Sequence, residues 1–204
     1  MANTPKGQRT EAAFIQAART CFADLGYLNT KIADIAKAAG RSTASFYNYY
    51  DNKEQLLEAL LDEFTTGVVE GSLSTRHHDP HEGVRAAVTA YWNMFREYRP
   101  EMIGLIQMSM LDDGFRQRWL DTRAAGIKQV LVGLDRAQQT GYDVGLPLDA
   151  LASALVSAME HTCYVWQSVG GDSGVTCPDD ETAIDVLAAL WYRTVYQNPA
   201  PPQA

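Results

Sequence analysis

The chain has 204 residues, 46% of them hydrophobic, and a formal net charge of -8. Its length exceeds the usual domain of about 100–150 residues, so one large or two smaller domains fit, and the composition excludes a disordered chain. Three scattered cysteines, Cys21, Cys163 and Cys177, exclude a disulfide framework and fit a reducing compartment; with no signal peptide and no apolar run of membrane length, a soluble cytoplasmic protein is expected.

Taken in chain order, almost every segment carries helical periodicity. Residues 9–25 place Ala12, Ile15, Ala18, Phe22 and Leu25 on one stripe, and Gly26 stops the run. Thr30 is expected to cap a helix from Lys31 to Ala38 whose apolar side holds Ile32, Ile35 and Ala36. Gly40 breaks the chain, and Ser42 opens a short helix through about Tyr49. Asp51 and Glu54, three residues apart, predict the capped start of a long helix with Leu57, Leu60, Leu61 and Phe64. Beyond the polar stretch Ser72 to Pro80, Val84, Val88, Tyr91, Phe95 and Tyr98 recur at steps of four and three up to Pro100. Helices are then expected at Pro100–Leu111, Asp113–Gln139, Leu148–Val169 and Asp180–Gln197. The fold class is all-α, with about nine helices: an N-terminal three-helix domain at 1–53, a larger helical domain at 54–198 and a disordered tail at 199–204.

An acidic protein repels a polyanion, but the charge is unevenly placed. Residues 1–53 hold seven basic against four acidic residues, whereas the remainder holds ten against twenty-one. That asymmetry permits a nucleic-acid module joined to something else. The stretch Thr30 to Leu56 has the matching layout: a two-turn helix, a tight glycine turn and a second short helix, the helix-turn-helix arrangement. Gly40 suits the turn because it lacks a Cβ. Ser42, Thr43, Ala44 and Ser45 are small or hydroxylated, so the helix start can approach the major-groove floor. Phe46 faces the core. Tyr47, Asn48 and Tyr49 offer hydroxyl and amide groups for phosphate or base edges, and Lys53 at a helix start suits a phosphate.

These residues resemble the tetracycline-repressor (TetR) family of bacterial transcription regulators. The resemblance is carried by Ile15, Ala18, Phe22, Gly26-Tyr27, Thr30, Ile32-Ala33, Ile35-Ala36, Ala39-Gly40, Ser42, Tyr47, Tyr49-Tyr50, Lys53 and Leu56 in the family's spacing, over about residues 9–57. Three positions depart from the usual pattern: Arg41 stands where valine is common, Ala44 where glycine is frequent, and Phe46 where leucine is frequent. The resemblance implies DNA contacts from Thr30, Arg41, Ser42, Thr43, Ala44, Ser45, Tyr47, Asn48, Tyr49 and Lys53. It also implies a larger domain that binds a small-molecule effector and forms a homodimer, so that two reading heads meet a palindromic operator.

Within that larger domain, large aromatic and methionine side chains are the expected effector-site lining: Tyr91, Trp92, Phe95, Met102, Ile106, Met110, Trp119, Met159, Cys163 and Trp166, with Gln107 as a polar group beside them. His161 and Val165, with Leu187, Leu190, Trp191 and Thr194 on the last helix, are the expected dimer stripe. No cofactor is implied. A competing reading is a metal-responsive regulator that uses His77, His78 and His81, since imidazole ligates zinc or nickel. A helical enzyme is a weaker one: no phosphate-binding glycine loop, serine elbow or H-E-x-x-H helix occurs.

Overall fold

The computed structural model describes residues 4–71 and 79–196; His77, His78 and the expected tail at 199–204 lie outside the described residues. The regular elements are α1 (Pro5–Leu25), α2 (Ile32–Ala38), α3 (Thr43–Phe46), α4 (Lys53–Gly71), α5 (Pro80–Glu97), α6 (Arg99–Ser109), α7 (Asp113–Gln139), α8 (Leu148–Tyr164) and α9 (Asp180–Tyr196). A π-helical turn, Val165–Val169, follows α8 directly. The described residues contain no strand, so the fold is all-α as expected.

The described residues form two compact units, 4–71 with 98–119, and 79–97 with 120–196. The first unit therefore runs past residue 53. Leu56, Leu57, Leu60 and Leu61 of α4 are fully buried, as are Met102 and Leu105 of α6, so both helices share the core of α1–α3. A close approach fixes α6 there: a Cβ on Gly104 would lie 3.2 Å from Leu57 Cδ1 and 3.5 Å from the Tyr27 ring.

Several boundaries shift by one cap. Helix α1 starts at Pro5 rather than residue 9, because the Thr4 hydroxyl accepts from the Gly7 amide at 3.1 Å and Pro5 suits a first helical position. Its buried stripe is Phe14, Ala17, Ala18, Cys21 and Phe22, whereas the expected Leu25 is exposed. Helix α4 is capped by Asn52, not Asp51: the Asn52 side chain accepts from the Gln55 amide at 2.8 Å, and Gln55 accepts in return from the Asp51 amide at 2.6 Å. Helix α3 ends at Phe46, and Tyr47 to Tyr49 form a turn.

In the second unit, α5 packs along α9 and against α8. The core there gathers Val130, Leu134, Ala137, Val144, Leu151, Ala152 and Val195. Arg85 bonds Asp185 at 2.8 Å, while Asp180 accepts from both Arg96 and the Trp92 indole, the latter at 3.1 Å.

Candidate nucleic-acid interface

Helix α2 ends in a Schellman closure. The Arg41 amide donates to the Ala36 carbonyl at 2.9 Å and the Gly40 amide to the Lys37 carbonyl at 3.0 Å. Gly40 has φ +64°, the left-handed region that costs a residue with a Cβ about 1–2 kcal/mol. Ser42 then caps α3, its hydroxyl accepting from the Ser45 amide at 3.1 Å. One side chain anchors this short helix: Phe46 is fully buried, edge-on to Phe14 at 5.5 Å and beside Tyr50 at 5.6 Å. With that anchor inside, Arg41, Ser42, Thr43, Ala44, Tyr47 and Asn48 are all exposed. Ser45 is partly exposed, and Tyr49 leans on Phe14 at 5.8 Å. Eight of the ten residues expected at DNA thus lie on one accessible segment.

The other two are corrections. Thr30 is buried, its hydroxyl bonded to the carbonyls of Cys21 at 3.1 Å and Gly26 at 2.8 Å, so it closes the end of α1 instead of reaching outward. Nor does it cap α2, where Asp34 accepts from the Lys31 amide at 3.0 Å. The Lys53 ammonium lies 2.7 Å from the Tyr27 carbonyl oxygen and 3.0 Å from that of Thr30, which leaves it turned into the protein. Burial holds its pKa below the ordinary lysine value.

Sequence reasoning missed the cations that are available. Lys6, Arg9, Lys31 and Lys37 join Arg41 as exposed groups with no ion pair among the described residues. The signal for Lys37 was local: Asp34, one turn earlier, is occupied by the Lys31 amide. Arg19 differs, since its Nε lies 2.6 Å from the fully buried Glu101 and its guanidinium sits over the Tyr98 ring at 5.9 Å.

The residues expected at an effector site divide between the units. In the first, Met102 is buried, and Ile106, Gln107 and Trp119 are partly buried; Gln107 Oε1 is enclosed without a hydrogen-bond partner. Met110 is a correction: α6 has ended at Ser109, and Met110 stands 76% exposed in the following turn. In the second unit Trp92, Phe95, Met159 and Cys163 are buried, Tyr91 and Trp166 partly so, and Trp92 meets Trp166 edge-on at 6.4 Å. Glu160 and Arg123 form an ion pair there, with the guanidinium also 2.8 Å from Ser157 Oγ. Burial, then the Glu160 charge, pushes the Cys163 thiol up to about 12, and the same causes raise Tyr91.

Of the expected dimer stripe, Leu187 is a correction: it is buried in its own unit. His161, Leu190 and Thr194 are exposed, with Val165 and Trp191 half-buried. Leu190 lines an open groove of about 410 Å³ with Thr182, Asp185, Val186, Ala189 and Arg193. His81 packs its ring on Tyr192 at 5.1 Å, and no group of three or more His, Cys, Asp or Glu among the described residues could hold a metal. No helix among the described residues is long and apolar enough to cross a membrane.

Residues 14–60 match the family model described as bacterial regulatory proteins, tetR family. The HTH-type transcriptional regulator EthR of Mycolicibacterium smegmatis is 23% identical over 202 residues, 94% of this chain and 88% of that protein. A solved bacterial regulatory protein of the tetR family from Rhodococcus RHA1 superposes with TM-score 0.73 at 21% identity, covering 94% of this chain and 98% of its own. AibR, solved in complex with isovaleryl coenzyme A and operator DNA, gives TM-score 0.67 at 20% identity over 89% of this chain and 97% of its own.

Proposed function

We propose that this chain, whose residues 14–60 match the tetR family model, is a TetR-family regulator that represses transcription as a homodimer on a palindromic operator and is released by a small, mostly apolar effector. The observation that carries the reading is α3: a short helix with one buried aromatic anchor and every other side chain small, polar or open to the outside. Thr43 and Ala44 allow close approach to base edges, Tyr47 and Asn48 supply hydrogen-bonding groups, and Arg41 with Lys37 provides charge for phosphates.

The acidic second unit supports a different task. The exposed apolar side chains of α9, Val186 and Leu190, with half-exposed Val165 after α8, suit an isologous contact with a second copy. Trp92, Phe95, Met159 and Cys163 give that unit an apolar interior, and its central charge pair is already neutralised, which favours an uncharged effector over a charged metabolite. The solved complex of AibR, with both an acyl coenzyme A and operator DNA, is a precedent in the same fold for one chain serving both ligands.

Selection of duplexes from a random-sequence pool, followed by footprinting, tests the reading. The expected outcome is enrichment and protection of one short palindrome, with half-sites about one helical turn apart. Uniform protection without sequence preference would replace it with an architectural DNA-binding role.

A further inference from the structure

The last turns of α9 carry aromatic rings that stay near the surface of the second unit. Tyr192 and Tyr196 stand four residues apart, hence on one face of the helix, and their rings stack at 5.1 Å and 21°. The His81 ring, at the start of α5, meets Tyr192 at 5.1 Å, and the Tyr142 ring, in the turn after α7, meets Tyr196 at 4.9 Å. Three elements therefore contribute one continuous ladder of four rings. Tyr142 and Tyr196 back onto the core around Val195, but all three tyrosines are only partly buried and His81 is exposed.

The chain that follows suits such a row. Gln197 continues directly from Tyr196, and residues 197–204 read QNPAPPQA, without a charged side chain to desolvate. Pro199 and Pro202 have the P-x-x-P spacing. In a polyproline II helix, with three residues per turn and about 3.1 Å of rise each, they share one face about 9 Å apart. Two steps of the ladder cover a similar length. Proline fixes φ in advance, so docking orders little further backbone, and aromatic-lined surfaces are the receptors such segments use. Asn198-Pro199 is a turn-initiating pair, which lets the chain double back from the end of α9. Tethered beside the rings, the segment has an effective concentration there on the order of millimolar, enough for a contact that is weak between separate molecules.

We propose that the four-ring ladder is a docking surface for segment 197–204 of the same chain, laid across the rings in polyproline II form. Docked there, the segment straps together the start of α5, the end of α9 and the turn after α7, and it covers the row of rings from water. This assignment is independent of how α3 meets DNA.

Nuclear magnetic resonance on the isotope-labelled full-length protein tests it. The expected result is a backbone order parameter above about 0.6 at Ala200, toward the value of about 0.85 in a rigid helix, with nuclear Overhauser contacts between proline and tyrosine ring protons. The Pro199→Ala, Pro202→Ala double variant loses those contacts and falls below that order parameter, while the amides of α8 keep their shifts. Tyr142→Leu with Tyr192→Leu keeps apolar bulk but strips the rings on either side of Tyr196, and it releases Ala200 in the same way. If the tyrosine pair fails to fold, judged by circular dichroism, the proline variant still decides, because neither proline lies within a described helix. A wild-type Ala200 order parameter under about 0.6 overturns the proposal, and so does order without proline–tyrosine contacts. Contacts found only between chains, in a mixture of labelled and unlabelled protein, overturn it too and assign the ladder to a second copy's segment.

Discussion

Each unit holds one arginine–glutamate pair on a buried glutamate, Arg19–Glu101 in the first and Arg123–Glu160 in the second, yet the exposed cations are distributed differently. In the first unit Lys6, Arg9, Lys31, Lys37 and Arg41 cluster within residues 6–41 without acidic partners among the described residues, while Arg116 and Arg118 pair with Asp113 and Asp62. In the second, Arg85 and Arg96 are matched to Asp185 and Asp180, and the exposed Lys128, Arg136 and Arg193 are spread over α7 and α9. A surface meant for a polyanion keeps its charges available, since each phosphate contact must displace counterions rather than an internal carboxylate. A surface that only needs to stay folded can neutralise them locally. The overall charge of -8 conceals this difference, because it averages the two arrangements.

The comparison can be broken first at the anchors. Phe46→Ala should destabilise the protein by about 3–5 kcal/mol, because it empties the site that holds α3 against Phe14. Denaturant unfolding measures it, and a loss under about 1 kcal/mol would show that α3 is held some other way. Next, Glu160→Ala removes the carboxylate that faces the largely buried Arg123 guanidinium, which should cost about 3–5 kcal/mol. Arg96→Ala, which removes an exposed pair, should cost under about 1 kcal/mol; equal losses from the two variants would erase the distinction between inner and outer pairs. The smallest expected effect concerns Cys163. Its folded pKa is raised, so the stability it contributes is fully present below the ordinary thiol value of 9.0 and is lost as pH climbs toward about 12. Cys163→Ala should flatten the stability profile in that window, and an unchanged slope would place the thiol in contact with water.

Much of this molecule was legible before any coordinates. Apolar spacing located the helices, α7 to the residue, because the period of 3.6 depends only on local sequence. The glycine turn and the serine cap were equally readable, since both rest on bonds between residues at most five apart. The errors share a cause. Thr30 and Lys53 have polar side chains suited to an exposed role, Leu187 has an apolar one that suits an interface as well as its own core, and nothing within a few positions shows where each is occupied. Thr30 reaches back nine residues to Cys21, and Lys53 reaches twenty-six to Tyr27. Met110 failed in the other direction, as an apolar residue left outside when α6 ended one residue before it.

The sequence by itself determined the all-helical class, the position of the helix-turn-helix layout and the resemblance of that segment to a family, because each follows from short-range periodicity, capping and a spaced signature. Tertiary structure alone decided that α6 packs with the α1–α4 core, that Lys53 faces carbonyls, and that Lys6, Arg9, Lys31 and Lys37 stay open beside the expected Arg41. Those outcomes depend on which groups meet across tens of residues, and a polar side chain reads the same in sequence whether its partner is water, a phosphate or the protein's own backbone.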